Sequence, residues 1–232
     1  MIYWLNMNYN IAFVPVRKGS KGVSGKNTRL LCGKPLLCWI LDTLVQSSFF
    51  DEIWLATDCD ETEKITIGRY GEEVKIYRRS DTSATDKSSV MEVIKEFIFW
   101  REPADSDWFC LFQSTSPFTT LGDIKKMLEM ANSGRYDSIV SCVRLKKFRW
   151  SETATPLDYS FANKPRRQDY KGFLVESGSF YSASVRIVLS EPYILSGEVG
   201  IVEVDSELAI DIDEPRDWME AEYIAANTIL KL

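Results

Sequence analysis

Between residues 11 and 143, short apolar runs alternate with stretches whose apolar residues recur at helical spacing, and this rhythm narrows the fold more than any other feature. Strand-like runs fall near 11–16, 52–57, 74–77, 107–112 and 137–143, with helical patterns near 35–48, 60–70, 88–101 and 121–132 between them. Asp60 stands as a plausible N-cap with Glu63 at the capping-box position. Strand–helix alternation of this kind predicts a largely parallel sheet covered by helices on both faces, an α/β three-layer sandwich. Ligands of such sheets sit beyond the carboxyl ends of the strands.

The rhythm breaks between Arg144 and Glu176, a segment rich in Lys, Arg and aromatic residues with no helical stripe. It reads as an arm or hairpin extension of one 232-residue unit, not as a second domain. A basic, aromatic arm on an otherwise acidic chain suits packing on a second subunit, so a homodimer is expected. A strand near 178–183, a helix near 184–190, a strand near 199–204 and a closing helix after Asp213, with Pro215 in its first turn, complete the pattern.

The first strand runs Ile11-Ala12-Phe13-Val14-Pro15-Val16 straight into Arg17-Lys18-Gly19-Ser20-Lys21-Gly22-Val23-Ser24-Gly25-Lys26-Asn27. Glycines let backbone N–H groups approach phosphate oxygens, and the cations neutralise their charge. The loop lacks the Walker A spacing, because Lys26 is followed by Asn27, and it has no Gly-x-Gly. A solvated basic turn is the alternative.

Histidine is absent, which removes imidazole bases, Ser-His and Cys-His nucleophiles and His-ligated zinc. Any metal must sit on oxygen ligands, as Mg2+ or Mn2+ would. In an extended Ile210-Asp211-Ile212-Asp213 both carboxylates share one face, and a divalent cation relieves their repulsion. A solvated acidic strand end before a helix is the other reading of that segment. Gln113-Ser114-Thr115-Ser116-Pro117 ends the fourth strand with a row of hydrogen-bonding groups, or is simply a turn. Arg166-Arg167-Gln168-Asp169 offers a fork for a carboxylate or phosphate, or is a surface charge cluster.

A net charge of −6 argues against nucleic acid as a partner, and no apolar run reaches the roughly 18 residues of a membrane helix. Met1–Asn10 does not read as a signal peptide. The five cysteines are scattered and form no Cys-x-x-Cys pair, which suits reduced thiols in the cytoplasm.

Taken together, the Arg17-to-Asn27 loop, Gly33-Lys34-Pro35-Leu36-Leu37, Gln113-to-Pro117, Arg167-Gln168-Asp169, Ser177-Gly178-Ser179-Phe180-Tyr181 and Ile210-to-Asp213, in that order, resemble the acylneuraminate cytidylyltransferases. The resemblance runs from about residue 10 to the C-terminus. It implies a Rossmann-like nucleotidyltransferase fold that joins CTP to an acidic nine-carbon sugar and releases pyrophosphate. Arg17, Gly19, Ser20, Lys21, Lys26 and Asn27 would bind the nucleotide, helped by Thr85 and Asp86 of the Ala84-to-Ser89 loop. Arg17, Lys21 and Asp211 would carry the chemistry, and Asp211 and Asp213 would hold the magnesium. Gln113, Thr115, Ser116, Arg167, Gln168, Ser177, Gly178 and Tyr181 would form the sugar site, with Arg167 reaching it from the partner subunit.

The chain departs from the family pattern in having Ser114 for a usual proline, Thr119 for a usual arginine and Ser177 for a usual asparagine. Two alternatives remain: an octulosonate cytidylyltransferase, or a nucleotide-sugar glycosyltransferase with an Asp-x-Asp metal motif. Which acidic sugar is used is open.

Overall fold

The computed structural model describes residues 9–19, 22–83 and 88–229. Seven strands form one sheet: β1 (Asn10–Val16), β4 (Glu52–Thr57), β5 (Lys75–Arg78), β6 (Trp108–Phe112), β7 (Ser138–Leu145), β8 (Phe173–Ser184) and β9 (Val199–Val204). Their spatial order is β5-β4-β1-β6-β8-β7-β9. A two-residue pair, β2 (Leu30–Leu31) and β3 (Lys34–Pro35), makes a separate small hairpin. Strands β1, β4, β5 and β6 pair in parallel, as do β7 and β9, whereas β8 runs antiparallel to both β6 and β7.

Alternate residues of each strand enter opposite cores, as a period of two requires. Ala12, Val14 and Val16 of β1 face one core with α1 (Leu36–Ser47), α2 (Asp60–Tyr70) and α4 (Leu121–Ala131). Ile11 and Phe13 face the other with α3 (Val90–Arg101) and α5 (Val185–Ser190). Phe13, Phe97 and Phe109 meet there at ring-centroid distances of 4.8, 5.2 and 6.1 Å. The three-layer α/β expectation therefore holds. A third cluster packs Val23, Leu31, Trp39, Phe118, Ile210 and Ile212 under α6 (Pro215–Ile224), which has Pro215 in its first turn.

Two local expectations are corrected. Asp60 is the first helical residue of α2, not its cap: Cys59 holds that position without a side-chain cap bond. Asp60 and Glu63 instead pair with Arg78 at the end of β5, because a strand-end arginine beside a helix N-terminus offers acids a full charge. The expected strand near 178–183 begins five positions earlier, at Phe173, than its apolar core suggests. Leu145↔Phe173, Arg144↔Leu174 and Val143↔Val175 all pair across it, so both ends of the Arg144–Glu176 segment are sheet. What remains, residues 146–172, is an excursion from the sheet, cross-braced by isolated bridges Trp150↔Pro156 and Ser160↔Asn163.

All five cysteines are free thiols; Cys38, Cys110 and Cys142 are buried. No helix among the described residues is long and apolar enough to cross a membrane.

Candidate active site

A cleft of about 680 Å³ opens where the parallel strands end. Arg17 follows β1, Arg79 follows β5 and Gln113, Ser114 and Thr115 follow β6, and all five line it, with Lys26, Asn27, Ser88, Asp213 and Glu214. The cleft therefore lies at the point where strand order reverses beside β1, the position that chain topology leaves uncovered.

One wall is the loop after β1. Val23, 3 % exposed, plugs it into the third core cluster. Gly22 lies against the backbone of residue 213, so that a Cβ there would collide with the Asp213 carbonyl oxygen. The Lys26 ammonium donates to the Ile212 carbonyl at 2.5 Å and pairs with Asp213 Oδ1 at 3.1 Å. The lysine assigned to the nucleotide is thus the bolt joining the cation loop to the acidic segment.

That segment, 210–213, lies outside the sheet but is extended. Ile210 and Ile212 are buried and Asp211 and Asp213 are exposed, which is the alternation read from the sequence. Its register is fixed on both sides. Ile212 N–H donates to the Thr115 carbonyl at 2.9 Å, and Asp213 N–H donates to Asp217 Oδ2 at 2.9 Å. Asp217 also takes Glu214 N–H at 2.7 Å, as the second half of the capping box that starts α6. Bonds from the Glu214 and Asp213 amides hold the Asp217 carboxyl below the usual range.

The Asp211 carboxyl is raised. Desolvation by the packing around it, beside the cleft that Asp213 lines, is the main cause and outweighs a bond from Thr115, and the Asp213 charge adds to it. Two crowded carboxylates of this kind favour a cation. Among the described residues no group of three or more His, Cys, Asp or Glu could hold a metal. A hard cation that takes one or two carboxylates and completes its shell with substrate phosphates and water matches this donor set. Beneath Asp211 the packing is close: a Cβ on Gly178, whose φ is +75°, would sit 3.1 Å from Asp211 Oδ2. Ser116 Oγ, near the same point, is buried with no hydrogen-bond partner.

The turn after β6 explains two of the departures noted above. Ser114 Oγ donates to Asn27 Oδ1 at 2.8 Å, which fixes that amide and leaves its N–H donors for a ligand. Thr119 Oγ1 donates to the Ser116 carbonyl at 3.3 Å and closes the turn from below.

Other assigned residues lie elsewhere. Ser20, Lys21, Thr85 and Asp86 fall outside the described residues. Gly19 takes φ +81° in the loop. Ser177 turns its hydroxyl into the sheet, donating to Ser141 Oγ at 2.8 Å with Ser179 Oγ 3.1 Å away, and it does not line the cleft. Tyr181 packs in the α3–α5 core and donates to Glu176 Oε2 at 2.9 Å. Arg167 lines a separate groove with Arg144, Lys146 and Lys147 at the root of the excursion, and Gln168 beside it is exposed. Within one chain, neither Arg167 nor Gln168 lines the main cleft.

Arg79 and Glu214 are charged cleft residues that sequence reasoning missed, and Ser88 is the described residue of the Ala84-to-Ser89 loop that lines the cleft. Arg79 is 9 % exposed, and burial lowers its affinity for the proton. The available signal was the Arg78-Arg79 pair at a strand end, equivalent to Arg17 after β1.

Comparison with known proteins bears on this arrangement. The profile of a family described as "Cytidylyltransferase" matches residues 11–220. N-acylneuraminate cytidylyltransferases of Danio rerio and Oncorhynchus mykiss are 34 % and 37 % identical over 91 % of the chain. The chain spans about half of their length, 49 % in each case. A CMP-N,N'-diacetyllegionaminic acid synthase of Legionella pneumophila is 31 % identical over 92 % of this chain and 95 % of its own. Among solved structures, a CMP:2-keto-3-deoxy-manno-octonic acid synthetase complexed with CTP superposes with a TM-score of 0.69. That match is 16 % identical and covers 96 % of this chain and 100 % of the other, a likeness of fold.

Proposed function

Since this chain belongs to the cytidylyltransferase family, we propose that it activates an acidic nine-carbon sugar with CTP, giving the CMP-sugar and pyrophosphate. The observation that carries this reading is the bolting of the Arg17 loop onto Ile212 and Asp213, in the segment that carries Asp211, through Gly22 and Lys26. A cation loop for a polyphosphate and, beside it, a carboxylate pair of which Asp213 lines the strand-end cleft suit attack by a sugar hydroxyl on the α-phosphorus, with pyrophosphate leaving in line.

Arg17, Lys21 and Arg79 neutralise charge on the triphosphate and leaving group, Asn27 orients the nucleotide, and Gln113 and Thr115 face the acceptor. Asp211 and Asp213 would hold Mg2+ or Mn2+, which when bound withdraws charge from the phosphate and acidifies the attacking hydroxyl. The absence of any histidine makes that second contribution important. Arg167 and Gln168, remote from the cleft of their own chain, suit delivery to a partner's cleft in a homodimer. Trp150, Leu157 and Phe161, 51, 58 and 76 % exposed on the excursion, are what such an interface covers. Free, scattered thiols suit a reducing compartment such as the cytoplasm.

The test is pyrophosphate release from CTP with a panel of nonulosonic acids and an octulosonic acid, with and without chelator. Release with a nonulosonic acid, abolished by chelator, is expected. Release only with the octulosonic acid, or none with any acid, overturns the proposal.

A further inference from the structure

Arg79 and Ser88 both line the cleft, and the residues between them that the structure describes, 80–83, form a compact polar turn. The Arg79 guanidinium donates to the Ser83 carbonyl. Ser83 N–H donates to Ser80 Oγ at 3.3 Å, and Ser83 Oγ donates back to the Ser80 carbonyl at 3.3 Å. Ser80 Oγ also lies 2.7 Å from Thr82 Oγ1, and Ser88 Oγ donates to the Thr82 carbonyl at 2.6 Å. Ser80 is therefore the hub on which both cleft residues depend.

A surface turn of small polar residues does not hold a buried cation in place by itself. Its anchor is on α3, where Glu96 takes Ser80 N–H on Oε1 at 3.1 Å and Ser80 O–H on Oε2 at 2.7 Å. Tyr77 O–H, from β5, donates to the same Oε1 at 2.6 Å. One carboxylate thus ties the end of β5, the residue after Arg79 and helix α3 together. Burial alone would raise this carboxyl; the bonds from Tyr77, Ser80 and Ser83 outweigh that and hold it below the usual range. Arg79 Nε, by contrast, is buried without a hydrogen-bond partner, an unmet donor on a residue that lines the cleft.

We infer that Glu96 is a positioning residue for the nucleotide: through Ser80 it fixes the Arg79–Ser88 wall of the cleft and holds the Arg79 guanidinium ready for the triphosphate. This rests on the reading of the cleft as a CTP site. A wall that touches the nucleotide before and during the reaction contributes uniform binding. Loosening it should raise the Michaelis constant for CTP more than it lowers turnover.

The experiment compares steady-state kinetics of the full chain with Glu96→Gln and Ser80→Ala. Glu96→Gln replaces one acceptor oxygen by an NH2 that faces the Ser80 donors. The expected result is a KM for CTP raised about tenfold, kcat within about threefold and KM for the acidic sugar within about twofold of the unsubstituted protein, the pattern of lost uniform binding. Ser80→Ala should move KM for CTP in the same direction by a smaller factor, and it stands in if Glu96→Gln does not fold. A KM for CTP unchanged in the folded variants overturns the inference. So does a parallel rise for both substrates, since that would report general loosening. Failure of the underlying reading is distinct, because the unsubstituted protein would then release no pyrophosphate from CTP.

Discussion

Gly22 and Asp213 touch backbone to backbone: the α-carbon of the glycine occupies the space over the Asp213 carbonyl where any side chain would collide. Lys26 repeats the junction four residues later through the Ile212 carbonyl and the Asp213 carboxylate. The cation loop after β1 and the acidic segment are therefore joined into one piece built from opposite ends of the chain.

Gly22→Ala should break that piece. Because the obstacle is backbone and cannot rotate away, a loss of about 2 kcal/mol is expected, in the range of overpacked sites. Thermal unfolding with pyrophosphate release should show lower stability together with lower turnover. A fully stable and active Gly22→Ala would show that the two segments separate freely.

Asp211→Asn should keep the fold and lose at least ~10²-fold in turnover, as when one electrostatic contact to the reacting group is removed. Asp217→Ala tests the support behind Asp213, since it frees the Asp213 and Glu214 amides and removes half of a capping box. Its expected cost is about 1 kcal/mol of stability, measured by denaturant titration. Turnover should fall less than in Asp211→Asn.

Ser114→Ala removes the bond that fixes the Asn27 amide. A bond worth about 1 kcal/mol corresponds to roughly fivefold in KM for CTP. Turnover at saturating CTP should stay near that of the unsubstituted protein, and a KM unchanged within error would show that Asn27 is held by other contacts.

Ser177→Ala reports on the sheet, not on the sugar. Its hydroxyl belongs to the Ser141–Ser177–Ser179 network at the β7–β8 irregularity, below Gly178. The expected effect is about 1 kcal/mol of lost stability with the order of preference among acidic sugars retained. A reordered preference would return Ser177 to the sugar site.

Glu52 is a carboxylate through which acid should destabilise the fold. Burial alone would raise its carboxyl, but bonds from Arg101, Lys75 and Trp54 outweigh that and hold it at about 2, against 4.5 when free. A folded-state value below the unfolded one stabilises above pH 4.5, and that contribution is lost as pH falls toward about 2. The linkage amounts to roughly 3 kcal/mol at most. Glu52→Gln should flatten the stability profile in that acid window; an unchanged profile there would assign the acid transition to other carboxylates.

The sequence by itself determined the layers and the place of the cleft. Unbroken apolar runs in Ile11–Val16, Ile53–Ala56 and Trp108–Phe112 fix two buried faces, which helices on both sides cover. The Ile-Asp-Ile-Asp alternation likewise placed two carboxylates on one exposed face, because that depends on local geometry alone.

Long-range pairing decided the rest. Phe173–Glu176 look like part of a basic, irregular arm, yet they pair with Cys142–Leu145, because a strand is defined by its partner across the excursion. Arg78 and Arg79 are adjacent and chemically alike. Their successive side chains diverge, so Arg78 meets Asp60 and Glu63 while Arg79 is buried beside the cleft. Composition could not separate them. Lys26 and Ser177 show the same limit: each carried a plausible ligand role in sequence, and each is engaged by a carbonyl or hydroxyl that only folding brings within hydrogen-bond range.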